Sequence, residues 1–156
     1  MITHSSLETE KLGEKLAKDI KKGGVIALYG ELGAGKTTFT KGLARGLGIK
    51  NRIISPTFIF IRSYIVNQQL AINNPPRQTR SSGEAGQQFF YHIDLYRIDR
   101  LEDAHSLGLE EILSDSRNIV VIEWPEKIKK LLPKKRIEVY FKYLDKGQRE
   151  IKIKIL

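Results

Sequence analysis

Residues 30–37 read Gly-Glu-Leu-Gly-Ala-Gly-Lys-Thr, and each residue type at that spacing suits the binding of phosphates. Gly30 lets the chain turn sharply. Gly33 and Gly35, on either side of Ala34, allow backbone angles that aim consecutive amides inward. Amides arranged so at the start of a helix form an anion site fitted to a β-phosphate. Lys36 would neutralise the β- and γ-phosphates, the Thr37 hydroxyl is a natural Mg²⁺ ligand, and Thr38 can donate to the α-phosphate. The chemistry this predicts is the binding of a nucleoside triphosphate with Mg²⁺. The chain has no Asn-Lys-x-Asp pattern for guanine, which tilts the base toward adenine and the nucleotide toward ATP.

Hydrolysis needs more than a phosphate loop. It needs a carboxylate near the metal and a group that places the attacking water. Two carboxylates close apolar runs: Glu123 follows Ile-Val-Val-Ile, and Asp94 follows Phe-Phe-Tyr-His-Ile. In an open α/β sheet, ligands sit beyond the carboxyl ends of the strands, where both would be presented. The alternative for either is a loop cap or a pair with Arg97. Thr57, in Ser55-Pro56-Thr57-Phe58, falls where many P-loop proteins keep a switch threonine that senses the γ-phosphate. A proline-fixed turn is the alternative there.

Such a loop must hang between a strand and a helix. Residues 25–29 are a continuous apolar run bounded by glycines, as a strand buried on both faces reads. A helix is predicted from Lys36 to about Leu47, with Gly48 as its stop. Upstream, Ser5-x-x-Glu8 is a capping-box pattern, Leu12, Leu16 and Ile20 recur at spacing four, and Gly23-Gly24 ends the segment. That predicts an amphipathic helix of about four turns. Downstream, strands are predicted at 58–66, 89–93 and 119–122. Residues 101–113 carry a weak helical period broken at Gly108, and 125–132 make a short helix stopped by Pro133. Two alternating runs, 137–141 and 151–155, flank Asp145-Lys146-Gly147 and read as a hairpin with one buried face.

Together these elements predict an α/β fold of the P-loop NTPase type. A central mixed, mostly parallel sheet is flanked by helices and carries a C-terminal antiparallel hairpin. The length of 156 residues leads us to expect a single domain over 1–156. Residues 67–88 are rich in Gln, Asn, Ser, Pro and Gly, with too few apolar groups to offset the entropy of ordering. We read them as a flexible insertion within the domain.

Composition narrows the function classes. There is no cysteine, which excludes disulfides and thiolate zinc sites and fits a reducing compartment. No apolar run approaches membrane-spanning length, and the first residues lack a signal-peptide pattern, so a cytoplasmic protein with no membrane partner is expected. The net charge is +9, and residues 126–156 hold eleven Lys or Arg against four acidic residues. A basic end of this kind faces tRNA, an acidic protein or phosphate-rich ligands, or it is a lysine-rich solvated face that keeps edge strands apart. No aromatic stacking platform accompanies the charges.

The ordered set of motifs resembles one family. Gly30 to Thr38, Ser55-Pro-Thr-Phe58, His92-Ile-Asp-Leu-Tyr-Arg97 and Glu123-Trp-Pro125 follow a leading helix that carries Glu8-Thr9 and Leu12-Gly13. This closely resembles the bacterial TsaE (YjeE) family, over nearly the whole chain. The resemblance implies a Mg²⁺-dependent ATPase, weak alone, serving the machinery that makes threonylcarbamoyladenosine beside the tRNA anticodon. It implies TsaD and TsaB as partners, with tRNA met through the complex. By the same resemblance Thr37 and Glu123 would hold Mg²⁺, Asp94 would assist hydrolysis, Thr57 would belong to a switch, and Trp124 would sit beside the active site. Ser6 and Thr9 would lie near the adenine. The family usually has a much shorter connection before its His-x-Asp-Leu-Tyr-Arg motif, so residues 67–88 look inserted. Two other readings compete. One is a small-molecule kinase with Arg77 and Arg80 of the insertion as a phosphoryl-clamping lid. The other is a nucleotide-gated binding module with negligible turnover.

Overall fold

The apolar run after Gly23 forms β2 (Gly24–Tyr29), the middle strand of a seven-stranded sheet. The structure is a computed structural model that describes residues 1–66 and 87–156. Residues 67–86, with Arg77 and Arg80, lie outside the described residues. The other strands are β1 (Ile2–Thr3), β3 (Ile61–Ile65), β4 (Phe89–Asp94), β5 (Ile119–Glu123), β6 (Ile137–Tyr143) and β7 (Arg149–Ile155). They lie in the order β1-β7-β6-β2-β5-β4-β3. The centre of the sheet, β6-β2-β5-β4, is parallel, and both edges are antiparallel. The fold class is the mixed α/β sheet read from the sequence, with the β6–β7 hairpin at one side.

Strands buried on both faces need cover on both. Helices α1 (Ser6–Leu16) and α2 (Lys36–Gly46) cover one face, where Ile26, Leu28, Val121, Phe90, Phe39 and Leu43 form the core. On the other face, α3 (Leu101–Ser106), α4 (Leu109–Ser114) and a 3₁₀ helix (Pro125–Ile128) bury Val25, Ile93, Val120 and Ile122. Helices α1 and α2 approach closely because their contact is glycine-lined. A Cβ on Gly42 would lie 1.9 Å from the Glu10 carbonyl oxygen, and one on Gly13 would lie 2.2 Å from that of Phe39.

Four local expectations shift, each for a physical reason. Helix α1 stops at Leu16, about one turn short of the predicted four. Lys18 N–H donates to the Lys15 carbonyl and Asp19 N–H to that of Leu16, so the chain tightens and Ile20 enters the core from a turn. The strand expected at 58–66 begins only at Ile61. The Pro56 carbonyl accepts from both Ile59 and Phe60 N–H, and Phe60 adopts φ 63°, so the turn consumes the first residues of the run. The helix expected at 125–132 is 3₁₀ and ends at Ile128. Strand β1 was not anticipated, being two residues long. The helical stretch after residue 100 breaks at Gly108, φ 69°, as its sequence predicted.

Candidate functional site

The carboxyl ends of β2, β4 and β5 converge at one end of the sheet, and a cleft of about 160 Å³ opens there. It is lined by the phosphate loop with Lys36, Thr37 and Thr38, by Ser55 and Thr57, and by Asp94, Glu123 and Trp124. Strand register does this. Gly24 of β2 pairs with Ile119 of β5 and Phe90 of β4 pairs with the same residue, so Asp94 and Glu123 end level with each other. Residues Gly33, Ala34, Gly35, Lys36, Thr37 and Thr38 follow β2 directly, and α2 starts at Lys36. Gly35 has φ 107°, and a Cβ there would meet the Arg149 side chain at 2.8 Å. Glycine at this position both turns the loop and leaves room for the hairpin arginine.

Lys36 is almost fully buried. Its ammonium donates to the Gly30 carbonyl at 2.5 Å and to that of Glu31 at 2.9 Å, and lies 4.1 Å from the centre of the Trp124 ring. Burial pushes its pKa below the usual lysine range, while Glu123, Asp94 and Glu126 act against that shift. A cation held by neutral carbonyls and a ring face has no full negative charge bonded to it, so an anion in the cleft offers it a stronger partner.

Thr37 Oγ1 donates to Glu123 Oε1 at 2.8 Å. With the hydrogen committed there, the lone pairs of the Thr37 hydroxyl remain for a cation. Asp94 Oδ2 accepts from Ser55 Oγ at 2.9 Å and Thr57 Oγ1 at 2.5 Å, and Oδ1 accepts from Tyr96 N–H at 3.0 Å. Asp94 therefore pins the Ser-Pro-Thr turn to the sheet. Arg97 stands over the Phe58 ring at 4.4 Å. Trp124 follows Glu123 with φ 62°, a left-handed turn that directs the chain from the strand into the 3₁₀ helix.

The donor set fits Mg²⁺. It offers hard oxygens, and among the described residues no group of three or more His, Cys, Asp or Glu forms a closed cage. Mg²⁺ typically takes one or two protein oxygens and completes its shell with phosphate oxygens and water.

The fold thus brings Lys36, Thr37, Thr38, Thr57, Asp94, Glu123 and Trp124 together. It does not bring Ser6 or Thr9 to the cleft. Ser6 lies on the exposed first turn of α1. Thr9 is fully buried, with its hydroxyl 2.9 Å from Thr3 Oγ1 and donating to the Ser5 carbonyl. Three neighbours of these groups escaped the sequence reading. Ser55 joins Thr57 on Asp94, and His92 lies under Glu123 at 2.8 Å. Their signal was present: His92 sits two residues before Asp94 and so shares its face of β4. Arg149 reaches the loop only because the hairpin folds over it, and nothing local announces that.

A glycine loop between a buried strand and a helix, at the carboxyl end of the sheet with two strand-end carboxylates, defines a P-loop NTPase-type protein. The model of the family described as "Threonylcarbamoyl adenosine biosynthesis protein TsaE" matches residues 3–151. The chain belongs to the TsaE family. It is 33% identical over 152 residues to the tRNA threonylcarbamoyladenosine biosynthesis protein TsaE of Treponema pallidum, covering 97% of each chain. It is 35% identical over 144 residues to the Bacillus subtilis protein of the same name, covering 92% of this chain and 77% of that one. The crystal structure of Bacillus subtilis YdiB superposes with a TM-score of 0.69 at 32% identity, over 97% of this chain and 80% of that chain.

Proposed function

We propose that this protein is the ATP-binding and ATP-hydrolysing component of the machinery that makes threonylcarbamoyladenosine beside the tRNA anticodon, working with TsaD and TsaB in the cytoplasm. The observation that carries the reading is the Thr37–Glu123 hydrogen bond at 2.8 Å, which joins the phosphate loop to the end of the neighbouring strand. It supports a metal-assisted phosphate site. Membership of the TsaE family, whose relatives carry the pathway in their names, supports the tRNA role.

In this mechanism the amides of residues 33–38 cradle the phosphates, and Lys36 leaves the Gly30 and Glu31 carbonyls to neutralise the β- and γ-phosphates. Thr37 and Glu123 would hold Mg²⁺, which when bound would supply positive charge against the negative charge that develops on the phosphates. The hydrogen-bonded pair Thr57 and Asp94 would orient the attacking water. Arg149, whose buried Nε has no partner, packs against the phosphate loop at Gly35. Trp124 shields the site from bulk water.

The test is ATP hydrolysis measured with and without TsaD, TsaB and tRNA. Slow release of phosphate alone, accelerated by the complete set, is the expected result. Vigorous turnover without partners, or phosphate appearing on a small metabolite, would overturn the reading.

A further inference from the structure

His92 lies below the cleft, on the α2 face of the sheet. It follows Phe90 and precedes Asp94 at the two-residue period of β4, so all three side chains share that face, running from core to mouth. Its side chain is fully buried. Nε2 is 2.8 Å from Glu123 Oε1, the same oxygen that accepts from Thr37 Oγ1 at 2.8 Å. A carboxylate only accepts, so the ring carries its hydrogen on Nε2. Nδ1 is buried and has no partner, which leaves the Glu123 bond as the ring's one polar attachment among the described residues.

We propose that His92 is a positioning residue for the Mg²⁺ site: its Nε2–H fixes Oε1 of Glu123 so that Thr37 and the free carboxylate oxygen face the cation in one arrangement. The inference rests on the function proposed above. The physical reason is rotational. A glutamate at a strand end turns about its terminal bond with little resistance, since that torsion has broad wells. One hydrogen bond from Thr37 cannot fix it, because Thr37 turns as well. A second donor, from a buried ring on a different element, removes the remaining freedom. Among the described residues no donor reaches Oε2, which is left for the metal or its water shell. A buried histidine in the core would otherwise be a net cost, since its ring nitrogens lose water and only one regains a partner. Outer-shell partners of this kind typically change metal affinity or activity by about 10- to 100-fold.

The geometry sets a graded test. Glutamine places an amide N–H near the reach of Nε2, whereas asparagine reaches only the level of Nδ1. In the full chain, binding of a non-hydrolysable ATP analogue is followed through Trp124 emission as MgCl₂ is titrated, and again in EDTA. For His92→Asn and His92→Leu, the Mg²⁺ concentration at half-effect is expected to rise about tenfold or more. His92→Gln is expected to stay within about threefold of the parent. Affinity in EDTA is expected to be the same for all soluble variants, as the phosphate loop itself is untouched. A parent-like Mg²⁺ midpoint for His92→Asn would overturn the proposal. So would a loss of affinity in EDTA equal to the loss in Mg²⁺, which marks a role in packing alone. If the parent itself binds the analogue without responding to Mg²⁺, the function proposed above falls, and this inference falls with it.

Discussion

Asp94 and Glu123 are register partners on adjacent parallel strands, and each accepts a hydroxyl from a different element: Thr57 of the Ser-Pro-Thr turn for Asp94 and Thr37 at the start of α2 for Glu123. Two carboxylates at the same level of the sheet are thereby given different neighbours, and different neighbours imply different tasks. Glu123→Gln should weaken the Mg²⁺ dependence of nucleotide binding. Asp94→Asn should leave nucleotide affinity within about threefold and lower turnover by about 10²-fold, the size of a lost water-orienting group. Single-turnover hydrolysis alongside equilibrium binding separates the two. Equal effects of both substitutions on both readouts would show that the carboxylates act as one unit.

Lys36 and Trp124 form a built-in reporter. Trp124 is the only tryptophan, and the Lys36 ammonium sits 4.1 Å from its ring centre. Binding of a triphosphate should draw Lys36 away and change Trp124 emission saturably. In Lys36→Ala that change should be absent. Hydrolysis and multi-turnover tRNA modification in a reconstituted system should also be lost, by about 10²-fold or more. Normal modification by Lys36→Ala would contradict the proposed function.

Gly42 tests the helix pair that carries the loop. Alanine in place of glycine inside a helix is worth about 1 kcal/mol in propensity. Here its Cβ would sit 1.9 Å from the Glu10 carbonyl oxygen, and overpacking against backbone costs about 3 kcal/mol. Sterics should win, with Gly42→Ala less stable by about 2 kcal/mol in urea unfolding. A stabilised variant would mean that α1 and α2 are farther apart than described.

Tyr140 and Glu138 give a pH prediction away from the cleft. Tyr140 donates to Glu138 Oε2 at 2.6 Å, and that bond is the main reason its pKa is pushed up to about 12. A tyrosine whose folded pKa is raised contributes stability that is complete below its unfolded pKa near 10 and is lost as pH climbs through about 12. Tyr140→Phe should therefore be the less stable protein at pH 8, by about 1 kcal/mol, and the gap should close between pH 10 and about 12. Urea midpoints at several pH values read this directly. A gap that stays constant to pH 12 would exclude the bond as the source.

The sequence by itself determined the phosphate loop and the strand before it, because both depend on local rules. Glycines at fixed spacing permit the turn, and an unbroken apolar run can only be buried. The strand-end carboxylates were legible for the same reason, since a charged residue closing such a run must emerge at a sheet end. Element limits were less legible wherever packing outweighed local preference. Ile20 enters the core from a turn, and Phe60 ends a turn where a strand had been expected. The tertiary structure alone decided which groups share a hydrogen bond. Parallel register sets Asp94 beside Glu123, and hairpin closure lays Arg149 against Gly35. The Asp94–Glu123 and Gly35–Arg149 contacts join residues far apart in the chain, fixed by the joint burial of two sheet faces, and no short window of sequence contains both partners.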